Sequence, residues 1–166
     1  ALDRTPHARA DMAAMIRGYG ETDLLCHRAD SPEALVARQA AAWDPPLAWA
    51  AQSLGVTLVP VAGVMATAQH PASLDRIEAT AQALDDFALT GLAHAVGLTG
   101  SAVLGLALAH EPQLRGEALF AAAALDELWS QETWGEDAEL TARLERLKAE
   151  LAALEAWFGA LEPSFQ

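Results

Sequence analysis

Cysteine and lysine each occur once in this chain, at Cys26 and Lys148. A lone thiol cannot close an intrachain disulfide or build a thiolate zinc site, so a reducing compartment is expected. Basic residues are scarce altogether: ten face 23 acidic ones, for a net charge of −13. A field of that sign repels phosphate backbones, which counts against nucleic acid and favours basic proteins or cations as partners. Several catalytic signatures are also missing. There is no H-E-x-x-H pair and no G-x-S-x-G elbow, and "GLTGSAVLG" (97–105) lacks the Lys-Ser/Thr that a phosphate loop needs after its last glycine. Tight helix packing through small residues explains that stretch better.

What the chain does contain is apolar and alanine-rich: 52% of its 166 residues are hydrophobic, enough for one domain with a sizeable core. The run from Phe87 to His110 carries no formal charge if its histidines are neutral, which is long enough for a membrane span. Its glycines, hydroxyls and central "GLTGS" break instead predict two buried helices, with no membrane insertion. The first residues, "ALDRTPHARADM", have no initiator Met and none of the marks of a signal peptide. They read as helix from within a longer chain, so residues upstream are expected.

Punctuation along the chain predicts a mainly α fold, a bundle of about six helices with a small two-strand β element. Helix is expected over about 5–18, closed by Gly18 and Gly20. "TDLLCHR" reads as a strand. Ser31 as N-cap with Pro32 at the first helical position opens a helix to about Ala42. Asp44 before Pro45 and Pro46 predicts a fresh start and a further helix to Leu54 and Gly55. "VTLVPVAG" is a second strand, edged by Pro60, and the two fit either a small parallel pair or a strand added to a sheet from upstream sequence. A helix from about Ser73 places Leu74, Ile77, Ala81, Leu84 and Ala88 on one face. Another spans about 101–110, and a long one about 113–133 carries the stripe Leu114, Ala118, Ala121, Leu125, Leu128 and Trp129. In the last, Leu140, Leu144, Leu147, Leu151, Leu154, Phe158 and Leu161 recur at heptad spacing. That seam fits the chain's own bundle or a second copy, with a monomer the expected state. Two parts are expected, helices with two short strands over 1–63 and a helical bundle over 73–162.

Candidate chemistry is sparse. Cys26 and His27 are adjacent, but on a strand they point to opposite faces and cannot share a proton. His94, on an apolar helix, reads as a satisfied core or rim residue. "LDELWSQETWGEDAEL" (125–140) is different, with six carboxylates, two tryptophans and no base. A helical wheel puts Glu132 near the centre of the apolar stripe, close to a helix C-terminus where the macrodipole disfavours an anion, so an arginine, water or a partner should offset it. Glu127 falls on nearly the opposite side. Asp137 and Glu139 sit where the last helix starts and suit capping. Trp129 belongs to the core stripe, whereas Trp134 either wedges the helix junction or meets a partner.

These residues also carry a family resemblance. "YGETDLLCHRA" (19–29), "PEALV" and "RQ" leading to "WDPPLAW" (43–49), "LTGSAVLGLAL" (98–108), "LDELW" and "WGEDAE" (134–139) follow one another through nearly the whole chain. In these stretches the chain resembles the F-type ATP synthase assembly chaperones of mitochondria and alphaproteobacteria that bind the isolated alpha subunit. The resemblance implies the helical C-terminal part of a longer α+β chaperone, without the family's N-terminal β-rich domain. It also implies no enzymatic activity and no cofactor, a non-catalytic holding of the alpha subunit until the beta subunit replaces it, and a bacterial cytoplasm or mitochondrial matrix, with the bacterial setting favoured. Carried over by position, the partner-binding residues are Asp126, Glu127, Glu132, Trp134, Asp137 and Glu139, with Glu127 and Glu132 foremost. His27, where the family more often has tyrosine, and "SQET" after Trp129 depart from the pattern. The rival reading is a carboxylate-based metal-dependent hydrolase using Asp126, Glu132, Glu136 and Asp137.

Overall fold

The computed structural model describes residues 4–162. Helix α1 (Arg4–Glu21) runs through both glycines expected to end it. Gly20 is instead a point of close approach: a Cβ there would lie 2.7 Å from Cδ1 of Ile77. A 3-10 turn, Leu24–Cys26, then leads into strand β1 (His27–Arg28), so "TDLLCHR" is mostly turn. Asp23 governs this change because its side chain accepts the N–H of Leu25.

Helix α2 (Glu33–Trp49) corrects two expectations. Ser31 is not its cap: its hydroxyl donates to Asp30, and the residue before the helix is Pro32, with no side-chain cap. Nor does Asp44 start a new helix, for α2 continues through Pro45 and Pro46. Proline within a helix costs ~3 kcal/mol or more. Tertiary contacts offset that cost: Trp43, Pro46 and Ala50 are buried at helical spacing, and the Trp43 indole N–H donates to the Ala122 carbonyl at 2.8 Å. Asp44 accepts from Arg28 at 2.8 Å rather than capping. The helix widens into a π turn, Ala50–Leu54, and stops at Gly55, whose φ of 68° is left-handed.

Most of "VTLVPVAG" is irregular, with only β2 (Val61–Ala62) in ladder register. It pairs in parallel with β1, the first of the two expected arrangements, His27 facing Val61 and Arg28 facing Ala62. Helix α3 (Pro71–Gln82) buries Leu74, Ile77 and Ala81, and it ends before Leu84 because Asp85 caps α4 (Asp86–Thr99). The stripe drawn through Leu84 and Ala88 therefore crosses a boundary. Gly100 (φ 71°) and the Ser101 hydroxyl, which accepts from Leu104, close α4 and open α5 (Ala102–His110). The uncharged run is thus two helices, and no helix among the described residues is long and apolar enough to cross a membrane.

The expected 113–133 helix is two: α6 (Glu117–Ala123) and α7 (Leu125–Trp134), separated at Ala124. The break changes the phase of the buried face, which consists of Leu119, Ala122, Ala123, Ala124 and Leu125, while Ala118 is exposed. Helix α8 (Ala138–Leu161) follows its heptad, burying Leu144, Leu151, Leu154 and Phe158. That seam packs within the chain, on α4, α5 and α6. The architecture is mainly α with a small two-strand β element, eight helices among the described residues instead of about six.

The α4–α5 hairpin lies at the centre, with α1, α2 and α8 against it and α3 outside α1. A Cβ at Gly105 would lie 2.4 Å from Cγ2 of Val96, so glycine sets the helix separation there. Gly97, on the same hairpin, has open space around it. Gly105→Ala is expected to destabilise the fold by about 1–3 kcal/mol through overpacking. Gly97→Ala should be neutral or stabilising by up to ~1 kcal/mol. Urea denaturation of the two variants measures the contrast.

Candidate functional site

The acidic stretch forms the α7–α8 corner. Leu125 anchors the start of α7 in the core, with Asp126 and Glu127 in its first turn, where the helix dipole favours carboxylates. Gly135 turns the chain at φ 97°, and Asp137 caps α8 by accepting from the N–H groups of Glu139 (2.8 Å) and Leu140 (3.0 Å). Across the corner Gln131 donates to the Thr141 hydroxyl at 2.8 Å. The turn is therefore tied on both sides.

The six sequence-derived residues have different surroundings. Glu132 is not in the apolar face: its side chain is 60% exposed, because the break at Ala124 rotates α7 relative to α6. An arginine offsets its position near the helix C-terminus. Arg38 donates to both carboxylate oxygens, at 2.5 and 2.9 Å, and these hydrogen bonds hold the Glu132 carboxyl below its ordinary range. The same guanidinium lies 5.9 Å from the centre of the Trp129 ring, so Trp129 is a half-buried platform and not core. Asp126 accepts from the buried Gln39 at 3.0 Å. Glu127 lies on the other side of α7, 3.4 Å from Arg143 of α8. Trp134 wedges nothing: it is 84% exposed, beside an open cleft of about 570 Å³ shared with Glu136, Glu139 and Arg143. Helix α7 is thus fastened to α2 on one side and α8 on the other, with its tip facing solvent.

The acids do not converge. Asp126, Glu132 and Asp137 are each held by a different part of the chain, and no group of three or more His, Cys, Asp or Glu side chains among the described residues is placed to hold a metal ion. Cys26 is buried, and burial followed by the nearby Asp23 carboxylate pushes its thiol up to about 12, far from a nucleophile at neutral pH. His27 is exposed, 3.3 Å from the Thr22 carbonyl, and His94 is a rim residue 3.3 Å from Glu150.

Sequence reasoning missed two groups. Arg38 is 94 residues from Glu132, and nothing local marks it. Asp23 is wholly buried, accepting from Leu25 and from Val103 in the first turn of α5, both at 3.1 Å. Desolvation outweighs these hydrogen bonds and raises its carboxyl to about 6. Its position just before "LLC" was the available signal, but the distant partner was not visible.

Residues 1–51 match the model of a family described as ATP12 chaperone protein. The structure superposes on Atp12 from Paracoccus denitrificans with a TM-score of 0.87 and 38% identity, over 92% of this chain and 65% of that one. An aspartate-to-lysine mutant of Paracoccus Atp12p gives 0.89 and 35%, over 97% of this chain and 68% of that one. This chain belongs to the ATP12 chaperone family. Atu1473 of Agrobacterium tumefaciens is similar too, with a TM-score of 0.83 and 38% identity over 93% of this chain and 57% of that one. The chain therefore spans roughly two thirds of the length of the Paracoccus proteins and less of the Agrobacterium one.

Two measurements check these assignments. In Arg38→Ala the Glu132 carboxyl is expected to titrate at higher pH than in the parent, as read by carbon-detected NMR of the side chain. The Asp23 carboxyl is raised when folded, from 3.8 to about 6, so the folded state holds the extra proton between those values. Its contribution to stability is present below pH ~4 and is lost as pH rises through ~6. Unfolding free energies of the parent minus those of Asp23→Asn should fall by about 2 kcal/mol from pH 4 to pH 7.

Proposed function

We propose that this chain acts in the assembly of the F-type ATP synthase as a non-enzymatic holding chaperone for the unassembled alpha subunit, keeping it from aggregating until the beta subunit pairs with it. The observation that carries the reading is the α7–α8 corner, where a tryptophan 84% exposed stands among carboxylates on a chain of net charge −13. An exposed aromatic gives buried area on contact, while the acidic surroundings steer and select a basic surface. Membership of a chaperone family supports the class, and the bacterial sources of the similar structures support a bacterial setting.

In this reading Trp134, Glu127 and Glu139 meet the partner. Glu132, already paired to Arg38, contributes to the same surface and orients the end of α7. Asp126 and Asp137 hold the corner in shape through Gln39 and the start of α8.

The test is co-purification with separately expressed alpha and beta subunits. Retention of alpha alone is the expected result. Glu127→Lys and Glu132→Lys should each weaken capture about tenfold or more, as reversing a charge opposite a basic partner does, while circular dichroism shows a folded chain. Undiminished capture by both folded variants would remove the corner from the contact. Retention of beta in place of alpha would overturn the partner.

A further inference from the structure

Acids outnumber bases 23 to 10 in this chain, so a basic side chain has carboxylates to choose from. Arg9, Arg17, Arg28, Arg38 and Arg115 each form an ion pair. Two arginines one turn apart on α8 depart from this pattern. Arg143 is loosely held, 3.4 Å from Glu127 with its side chain 61% exposed. Arg146 forms no ion pair and no side-chain hydrogen bond among the described residues. Their own helix offers partners that are not taken. Glu150 stands four residues after Arg146, the spacing of an intrahelical pair, but lies 3.3 Å from His94 instead. The same two arginines line both clefts beside α7: the one at Trp134, and a second of about 560 Å³ towards the end of α4. Half-buried Tyr19, Leu24, Leu98 and Leu147 give the second cleft an apolar side. The clefts therefore adjoin at the two guanidiniums, with an exposed indole at one end and an apolar surface at the other.

We propose that these joined clefts take a segment of the protein partner that has an aspartate or glutamate at its centre, held by Arg143 and Arg146, and apolar residues on either side. The inference rests on the chaperone reading above and sharpens it, because the partner's face is then not uniformly basic. Guanidiniums match a carboxylate with paired N–H donors, and residues three apart on a helix are close enough to share one. A phosphate brings more negative charge, which the net −13 opposes. Apolar neighbours of the carboxylate cover Trp134 on one side and Tyr19 and Leu98 on the other, which supplies buried area. The arginine pair also fixes position. A carboxylate displaced towards the corner meets Glu136, Asp137 or Glu139, so a wrong register is repelled.

The sign of one substitution separates this site from general attraction to a basic surface. Arg146→Glu makes the chain more acidic, so capture of the alpha subunit rises if negative charge alone matters. Capture is instead expected to fall about tenfold, with circular dichroism unchanged, while Arg146→Lys keeps most of it. Equal or stronger capture by folded Arg146→Glu overturns the proposal. A second arm needs no subunit. The peptide acetyl-Val-Lys-Leu-Asp-Leu-Lys-Val-amide is titrated into the 166-residue chain, beside the same peptide with asparagine for aspartate, and followed by NMR shifts of the α8 amides. General attraction favours the asparagine form, which carries one more net positive charge. The aspartate form is expected to bind about fivefold more tightly, the upper range for a solvent-exposed ion pair. That preference should shrink at about 0.5 M salt and vanish in Arg146→Gln. Equal affinity for the two peptides, tighter binding of the asparagine form, or no shift with either overturns the arginine site. If the unaltered chain captures no subunit while the aspartate preference holds, the chaperone reading fails and the carboxylate site stands.

Discussion

The contact between Gly105 and Val96 sets the spacing of the central α4–α5 hairpin. It lets α4 and α5 approach more closely than any larger side chain allows, and this hairpin is the surface on which α1, α2 and α8 lie. Asp23 reinforces the same place from the opposite direction. Its buried carboxylate joins the turn after α1 to the first turn of α5, fixing the entry of the chain into the core. The acidic corner is an outgrowth of this arrangement, since Leu125, at the start of α7, is buried in the same core.

Within this frame the acids divide by what holds them. Asp137 is used by the backbone, Asp126 by a buried amide, Glu132 by a bidentate guanidinium and Glu127 by a looser contact with Arg143. Trp134 and Glu139 face solvent. A run that reads as one uniform acidic patch is, in three dimensions, a set of internal fastenings surrounding a small exposed face.

The parts of the fold legible in the sequence are those determined locally. Asp137 is a cap, Gly55 is a stop, the "GLTGS" break separates two helices, and the heptad in α8 marks a buried seam, because each depends on neighbours within a few residues. Illegible were the features set by distant packing. Gly20 resembles a stop until Ile77 is placed beside it, and Pro45-Pro46 resembles a break until Trp43 and Pro46 are buried. The break at Ala124 has no glycine or proline to mark it, so the wheel drawn through residues 118–132 put Glu132 on the wrong face. What offsets Glu132 near the helix C-terminus is Arg38, from another helix.

The fastenings of α7 also differ in kind from one end to the other. Near its start they are buried: Leu125 in the core, Gln39 on Asp126 and, just upstream, the Trp43 indole on Ala122. At its tip there is an exposed ion pair, which dissolved salt screens while leaving buried contacts almost untouched. Helix α7 is therefore held by buried contacts at its start, and at its tip by the Gln131–Thr141 hydrogen bond and a pair open to solvent. Ionic strength weakens that pair, at the end that carries Trp134, and leaves the core beneath it almost untouched.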